Sequence, residues 1–181
     1  MKRLILFILI LGLMISTVQA LKNKETVGPW IVEFNSSQSY ETRFEYKEPE
    51  QSGYSVWTLY LIDEMGHEVG WLNFRSYSYP QKATKDFLDA ILDQAITAFK
   101  VTSPIKTSTV INSTEGRMGK GYSSWFSRMW HGVAWPYKPV FDPFTNTNTT
   151  RHYIDFNSLQ ETADFEAIAS SLNVTNATGM Q

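Results

Sequence analysis

The chain has no cysteine. Disulfides are therefore excluded, although an exported protein would be permitted them. The lipid-modified cysteine that anchors many exported prokaryotic proteins is excluded as well. The fold must stand on its apolar core. A basic excess is also missing: 16 Lys and Arg face 18 Asp and Glu. That balance argues against nucleic acid, which needs a basic footprint. Histidine is scarce. His67, His131 and His152 fall in different segments, and no two have metal-ligand spacing. No metal and no cofactor is expected. After the first twenty residues no apolar run reaches membrane-spanning length and the C-terminus is polar, so no membrane span is expected in the mature chain.

Those first twenty residues read as a signal peptide. Lys2 and Arg3 give a basic start, Leu4 to Val18 is apolar, and Val18-Gln19-Ala20 offers small residues where a signal peptidase reads. Cleavage after Ala20 leaves a single domain over residues 21–181, secreted or held at the cell surface. The leader holds two of the basic residues and none of the acidic ones, so the mature chain is mildly acidic, at about −4.

The pattern of the remainder is built around Tyr54 to Phe99. Ser55 to Ile62 is apolar enough for a central strand. Asp63-Glu64-Met65-Gly66 makes a turn, and Val69 to Tyr77 returns as the second strand of a hairpin. Pro80 is expected to end it. Lys82 to Phe99 changes period, with Leu88, Ile91, Leu92, Ala95 and Phe99 on one helical face. Upstream, Leu21 to Thr26 reads as a mobile lead-in, and Trp30–Phe34 and Phe44–Tyr46 alternate as strands. Downstream, Ser103-Pro104 reads as a break and Ile105 to Ile111 as a strand. Asn112 to Gly121 reads as a glycine-rich turn, and Tyr122 to Val140 as an irregular aromatic stretch. Tyr153 to Phe156 is a last strand. Leu159 to Leu172 is a short helix capped by Asn157-Ser158, with Glu161 three residues after the serine. This order predicts the α+β class, an antiparallel β-sheet packed with helices.

Val27-Gly28-Pro29-Trp30-Ile31-Val32-Glu33-Phe34, the Glu48-Pro49-Glu50 loop, the helix after Tyr79-Pro80, and Tyr153-Ile154-Asp155-Phe156-Asn157-Ser158 resemble a group of small exported archaeal proteins, mostly from methanogens. The element order resembles the PsbP/Mog1-like fold, an αβα sandwich. The resemblance implies an adaptor or assembly role without catalysis. It does not extend to Tyr122 to Phe144.

Two motif fragments fail on their chemistry. Gly116 to Gly121 is glycine-rich and basic, but Thr114 stands where a P-loop needs its first glycine and Gly121 follows the lysine. Gly121-Tyr122-Ser123-Ser124-Trp125 half-matches a nucleophile elbow, but Trp125 occupies a position that needs a small residue. Asn35, Asn112, Asn148, Asn173 and Asn176 each open an Asn-x-Ser/Thr sequon, so N-glycosylation is expected at exposed loops.

Tyr122 to Phe144 holds eight of the 26 aromatic residues, with no acid between Glu115 and Asp142. Such rings can simply cover a sheet face. They can also form a binding face, with rings stacking on a partner and cations selecting an acidic one. The candidate residues are Trp125, Arg128, Trp130, Trp135, Tyr137 and Lys138; no catalytic residue is assigned. The expected function is a non-catalytic exported module that binds a protein or an acidic envelope glycan. The alternatives are an extracellular hydrolase pairing His131 with Asp142 or Asp155, and a structural envelope component whose aromatics are all core. Exposure of Trp125, Trp130 and Trp135 separates the first from the last.

Overall fold

The structure, a computed structural model, describes residues 20–48, 53–160 and 162–176. Of the leader expected over residues 1–20, only Ala20 is among them. Glu161 of the expected cap also lies outside the described residues. Eleven strands and two helices are described, in the order β1 (Leu21–Val27), β2 (Trp30–Ser36), β3 (Glu41–Lys47), β4 (Tyr54–Ile62), β5 (Glu68–Lys82), α1 (Lys85–Ala98), β6 (Val101–Ile111), β7 (Thr114–Ser123), β8 (Arg128–Pro136), β9 (Val140–Asp142), β10 (Thr147–Ser158), α2 (Thr162–Ser171) and β11 (Asn173–Asn176). The large sheet runs β3-β4-β5-β10-β8-β7-β6, with β9 beside β10; the small one runs β1-β2-β11. All pairings are antiparallel.

This corrects the expected α+β sandwich of a sheet between helices. The described residues are 62% strand and 15% helix, in two antiparallel sheets, so the fold is β-rich. Three segments account for the difference. The lead-in is β1, paired along its length with β2. The glycine-rich turn is β7, and only Asn112 and Ser113, both at positive φ, turn the chain. The irregular aromatic stretch contains β8, which is buried at every position from Trp130 to Pro136. A strand covered on both faces shows no alternation, and that is why it escapes a period-two reading.

Prolines deceive for a related reason. β5 continues past Pro80 to Lys82, and the register with β10 shifts where it passes. Pro104 lies inside β6, an edge strand whose register with β7 shifts between Thr102 and Ile105. Edges and bulges are where a residue without an N–H is tolerated.

The large sheet carries a core on each face. On one face α1 presents Leu88, Ile91, Leu92 and Ala95 to Trp130, Ala134 and Tyr153. Thr84 caps this helix, its hydroxyl accepting from the Phe87 N–H at 3.3 Å. On the other face Val133, Trp135, Ile154, Phe156, Leu72 and Phe74 meet Trp30, Val32 and Phe34 of the small sheet and Phe165, Ile168 and Leu172 around α2. Successive residues of β8 and β10 thus serve opposite cores, as the pleat requires. Two glycines make room for Trp130. A Cβ at Gly132 would lie 2.3 Å from its ring and one at Gly119 2.9 Å from it. The glycines that suggested a phosphate loop therefore serve, at Gly119, the seat of an indole.

A polar network lies on the α1 face. Asp155 on β10 accepts from Arg75 Nε at 2.6 Å, Asn73 Nδ2 at 2.7 Å and Asn157 Nδ2 at 2.8 Å. Arg75 reaches on to Gln94 Oε1 of α1 at 2.6 Å. Arg117 of β7 pairs with Asp89 of the same helix at 2.7 Å. Helix and sheet are therefore joined by charge as well as by apolar contact. Among the described residues no helix is long and apolar enough to cross a membrane.

Candidate binding face

The hairpin of β7 and β8 projects one end of the large sheet. Its turn is tied to the C-terminal end of α1. Ser123 donates its hydroxyl to the Phe99 carbonyl at 2.5 Å, and the Ser124 N–H reaches the Lys100 carbonyl at 3.2 Å. Phe126 packs beside Phe99 and Trp71, with ring centres 5.9 and 6.4 Å away. Trp125 stacks on Phe126 from outside, at 6.0 Å and 22°. Its indole is 64% exposed. Lys100 places its ammonium 4.6 Å from the Trp125 ring centre. Tyr122 and Met129, register partners across the hairpin, are both about half exposed. Lys120 and Arg128 are exposed, and neither has an ion-pair partner among the described residues.

Two clefts lie beside the hairpin. One of about 570 Å³ is lined by Ile105, Thr107, Lys120, Tyr122 and Glu166, and one of about 870 Å³ by Ser37, Asp63, Arg128 and Asp164. Met129 and His131 line both. Two of their acids are already engaged. Asp164 accepts from the Ser37 N–H at 2.8 Å, the Ser37 hydroxyl at 2.6 Å and the Tyr40 hydroxyl. Asp63 accepts from the N–H groups of Met65 and His67 at 3.0 and 2.8 Å, which holds its pKa below the ordinary value. Burial holds the His131 pKa down, with Lys120 adding to it and Glu166 opposing.

The predicted residues do not form one surface. Trp125 and Arg128 stand at the tip. Trp130 is fully buried under α1 and Trp135 is 3% exposed in the opposite core, so neither indole reaches solvent. Tyr137 and Lys138 follow β8 at the far end of the sheet, where Tyr137 packs edge-on against Trp30 at 5.1 Å. The residues that sequence reasoning missed are Lys100, Phe126 and Met129. The first comes from the end of α1 and has no local signal near the aromatic run.

The features weighed for catalysis do not assemble. His131 packs against Phe165 on the α2 face, whereas Asp155 is bonded into the network on the α1 face. Asp142 lies beyond the other end of β8 and accepts from the Phe144 N–H and the Thr145 hydroxyl. Ser123 is fully buried. His67 is exposed beside Asp63, and His152 shares a hydrogen bond with Ser76 at 2.8 Å. Among the described residues no group of three acids or histidines could hold a metal ion.

Of the sequons, Asn112, Asn148 and Asn173 are exposed, whereas Asn35 and Asn176 are half-buried. Asn112 turns the chain between β6 and β7, and Asn148 pairs with Phe141 of β9. Both therefore lie at the end of the sheet opposite the tip. Compared with family models, curated proteins and solved structures, the chain matches none of them.

Proposed function

We propose that the protein is an exported, non-catalytic binding module that captures an acidic partner on the β7–β8 hairpin tip. The observation that carries this reading is Trp125: largely exposed, stacked on Phe126, under the Lys100 ammonium and three residues from Arg128, which is exposed and has no ion-pair partner among the described residues. A large exposed indole is costly to leave bare and is the ring most often found at the energetic centre of an interface. Cations beside it favour a negatively charged partner and make its capture salt-dependent. The basic, apolar leader of the sequence supports action outside the cell. An envelope component with all its aromatics in the core leaves Trp125 unaccounted for.

The test is binding of solubilised envelope material, followed by tryptophan fluorescence. Trp125→Ala should abolish it, Arg128→Ser should weaken it, and raised salt should weaken the wild type. Binding that Trp125→Ala leaves intact removes the tip as the site.

A further inference from the structure

We infer that the open edge of β6 pairs with the same edge of a second copy of this chain, making a two-fold dimer with one continuous sheet. The interface is separate from the tip and does not rest on it. β6 ends the large sheet, with β7 on one side and no strand on the other among the described residues. The hairpin with β7 fixes which main-chain groups point outward. Asn112 and Ser113 both take positive φ, at 48° and 63°, and close a two-residue turn between Ile111 and Thr114. Ile111, Thr109, Thr107 and Ile105 therefore direct their main-chain groups to β7, while Val110, Ser108 and Lys106 direct theirs to the open side. Pro104, which has no N–H, and the bulge beside it end the usable edge at Ile105; the turn ends it at Ile111. The edge between these limits is centred on Ser108.

Three observations select a second copy as the occupant. First, this edge lacks the usual protection. The opposite edge, β3, carries Glu41, Arg43, Glu45 and Lys47, the kind of charges that deter strand pairing. Between Ile105 and Ile111 the one charge is Lys106, and Asp93 of α1 holds it at 2.8 Å. Ile105 and Val110 are 56% and 65% exposed. Second, the segment is close to a palindrome: Ile105-Lys106-Thr107-Ser108-Thr109-Val110-Ile111. Antiparallel pairing about Ser108 sets Ile105 against the second copy's Ile111, Thr107 against its Thr109 and Ser108 against its Ser108. These are matched cross-strand pairs of the kind that stabilise a sheet. The same register brings the outward main-chain groups of Lys106, Ser108 and Val110 opposite one another, so the ladder closes without a slip. Third, the charges match. Lys106 falls opposite the second copy's Val110, whose own register partner is Glu115. Glu115 is exposed and has no ion pair among the described residues. Lys106 lies on the α1 face through Asp93, and Glu115 shares that face two residues from Arg117, which pairs with Asp89. Each copy's ammonium thus lines up with a carboxylate of the other across one valine. A foreign peptide would share the main-chain bonds alone. The pairing is isologous and closes on itself, which gives a dimer rather than a fibre. The β7–β8 turns lie outside the paired stretch and point to opposite ends of the joined sheet.

The experiment weighs the purified full chain by sedimentation across a range of concentrations. The mass should rise from one chain to two. Val110→Lys, at an exposed position facing the second copy's Lys106, should raise the dissociation constant about tenfold without changing the melting temperature. Trp125→Ala should dimerise like the wild type. Because the chain has no cysteine, Ser108→Cys adds a single thiol, opposite its own counterpart at the two-fold. Air oxidation should join it into a covalent dimer. Val110→Cys, whose counterpart lies about 13 Å away along the strands, should stay unlinked. A mass of one chain at every concentration would overturn the inference and leave this edge to a foreign strand. A dimer that Val110→Lys leaves intact, or equal linking of the two cysteine variants, would overturn it as well.

Discussion

Lys100 and Trp125 meet as cation and ring, 4.6 Å apart, across the join between the end of α1 and the β7–β8 turn. The contact places a charge from one element over an aromatic of another, on the outer surface. It makes the tip a joint product of helix and hairpin, so the two should respond together to ligand and to mutation.

Trp125 should dominate quenching of the native fluorescence by acrylamide. Trp30, Trp130 and Trp135 are buried, and Trp57 and Trp71 are half-buried. Trp125→Phe should remove the most readily quenched component and leave the thermal melt nearly unchanged, as surface substitutions usually do. A quenching profile identical to wild type would place the exposed indole elsewhere.

Leu92 is fully buried between α1 and the sheet. Leu92→Ala should cost about 2–5 kcal/mol, the transfer loss plus the cavity it leaves. Denaturant melts measure it. A loss below about half a kilocalorie would mean that this helical face is not core.

Asp155→Asn should destabilise strongly. It strips the counter-charge from Arg75, a buried guanidinium whose charged form burial opposes and Asp155 restores. Removing one partner of a buried pair costs about 3–5 kcal/mol. The double variant Arg75→Met with Asp155→Leu should lose less than the single one. Equal or greater loss in the double variant would show that the network stabilises by more than its charges.

Stability should fall as pH drops through the histidine range. Burial, first, holds His131 and His152 below the ordinary value of 6.5, with Lys120 and Arg151 contributing. The unfolded chain therefore binds protons that the folded chain resists. Their stabilisation is complete above 6.5 and is lost progressively below it. The lowered carboxylates Asp63 and Asp142 contribute above their ordinary value of 3.8 and lose that only in stronger acid. Urea midpoints at pH 8 and pH 5.5 compare the states, and the difference should shrink in a His131→Gln, His152→Gln double variant. A midpoint that rises on acidification would contradict the sign.

Much of the framework could be read along the chain. The Ser55–Ile62 and Val69–Tyr77 hairpin stands as β4 and β5, with Gly66 at a φ of 80° in its turn. The helix after it buries Leu88, Ile91, Leu92 and Ala95 of the predicted face, while Phe99 is its half-buried C-cap. The helix announces itself by one period and one covered side, and the hairpin by two apolar runs on either side of a short polar turn. β8 does not, because Trp130 and Trp135 serve opposite cores and every residue between them is buried. β1 does not, because its residues are polar and its order comes from pairing with β2.

The sequence by itself determined that the core forms without disulfides, where the main helix lies and which face it buries, and that an aromatic, acid-free stretch follows β7. Those are properties of composition and local period, which each residue carries with it. Only the tertiary structure decided which of those aromatics face outward. Of three tryptophans in one short stretch, two are swallowed by packing on either side of the sheet and one is left at a turn, because burial depends on which layers lie above and below a strand, and those layers come from distant parts of the chain.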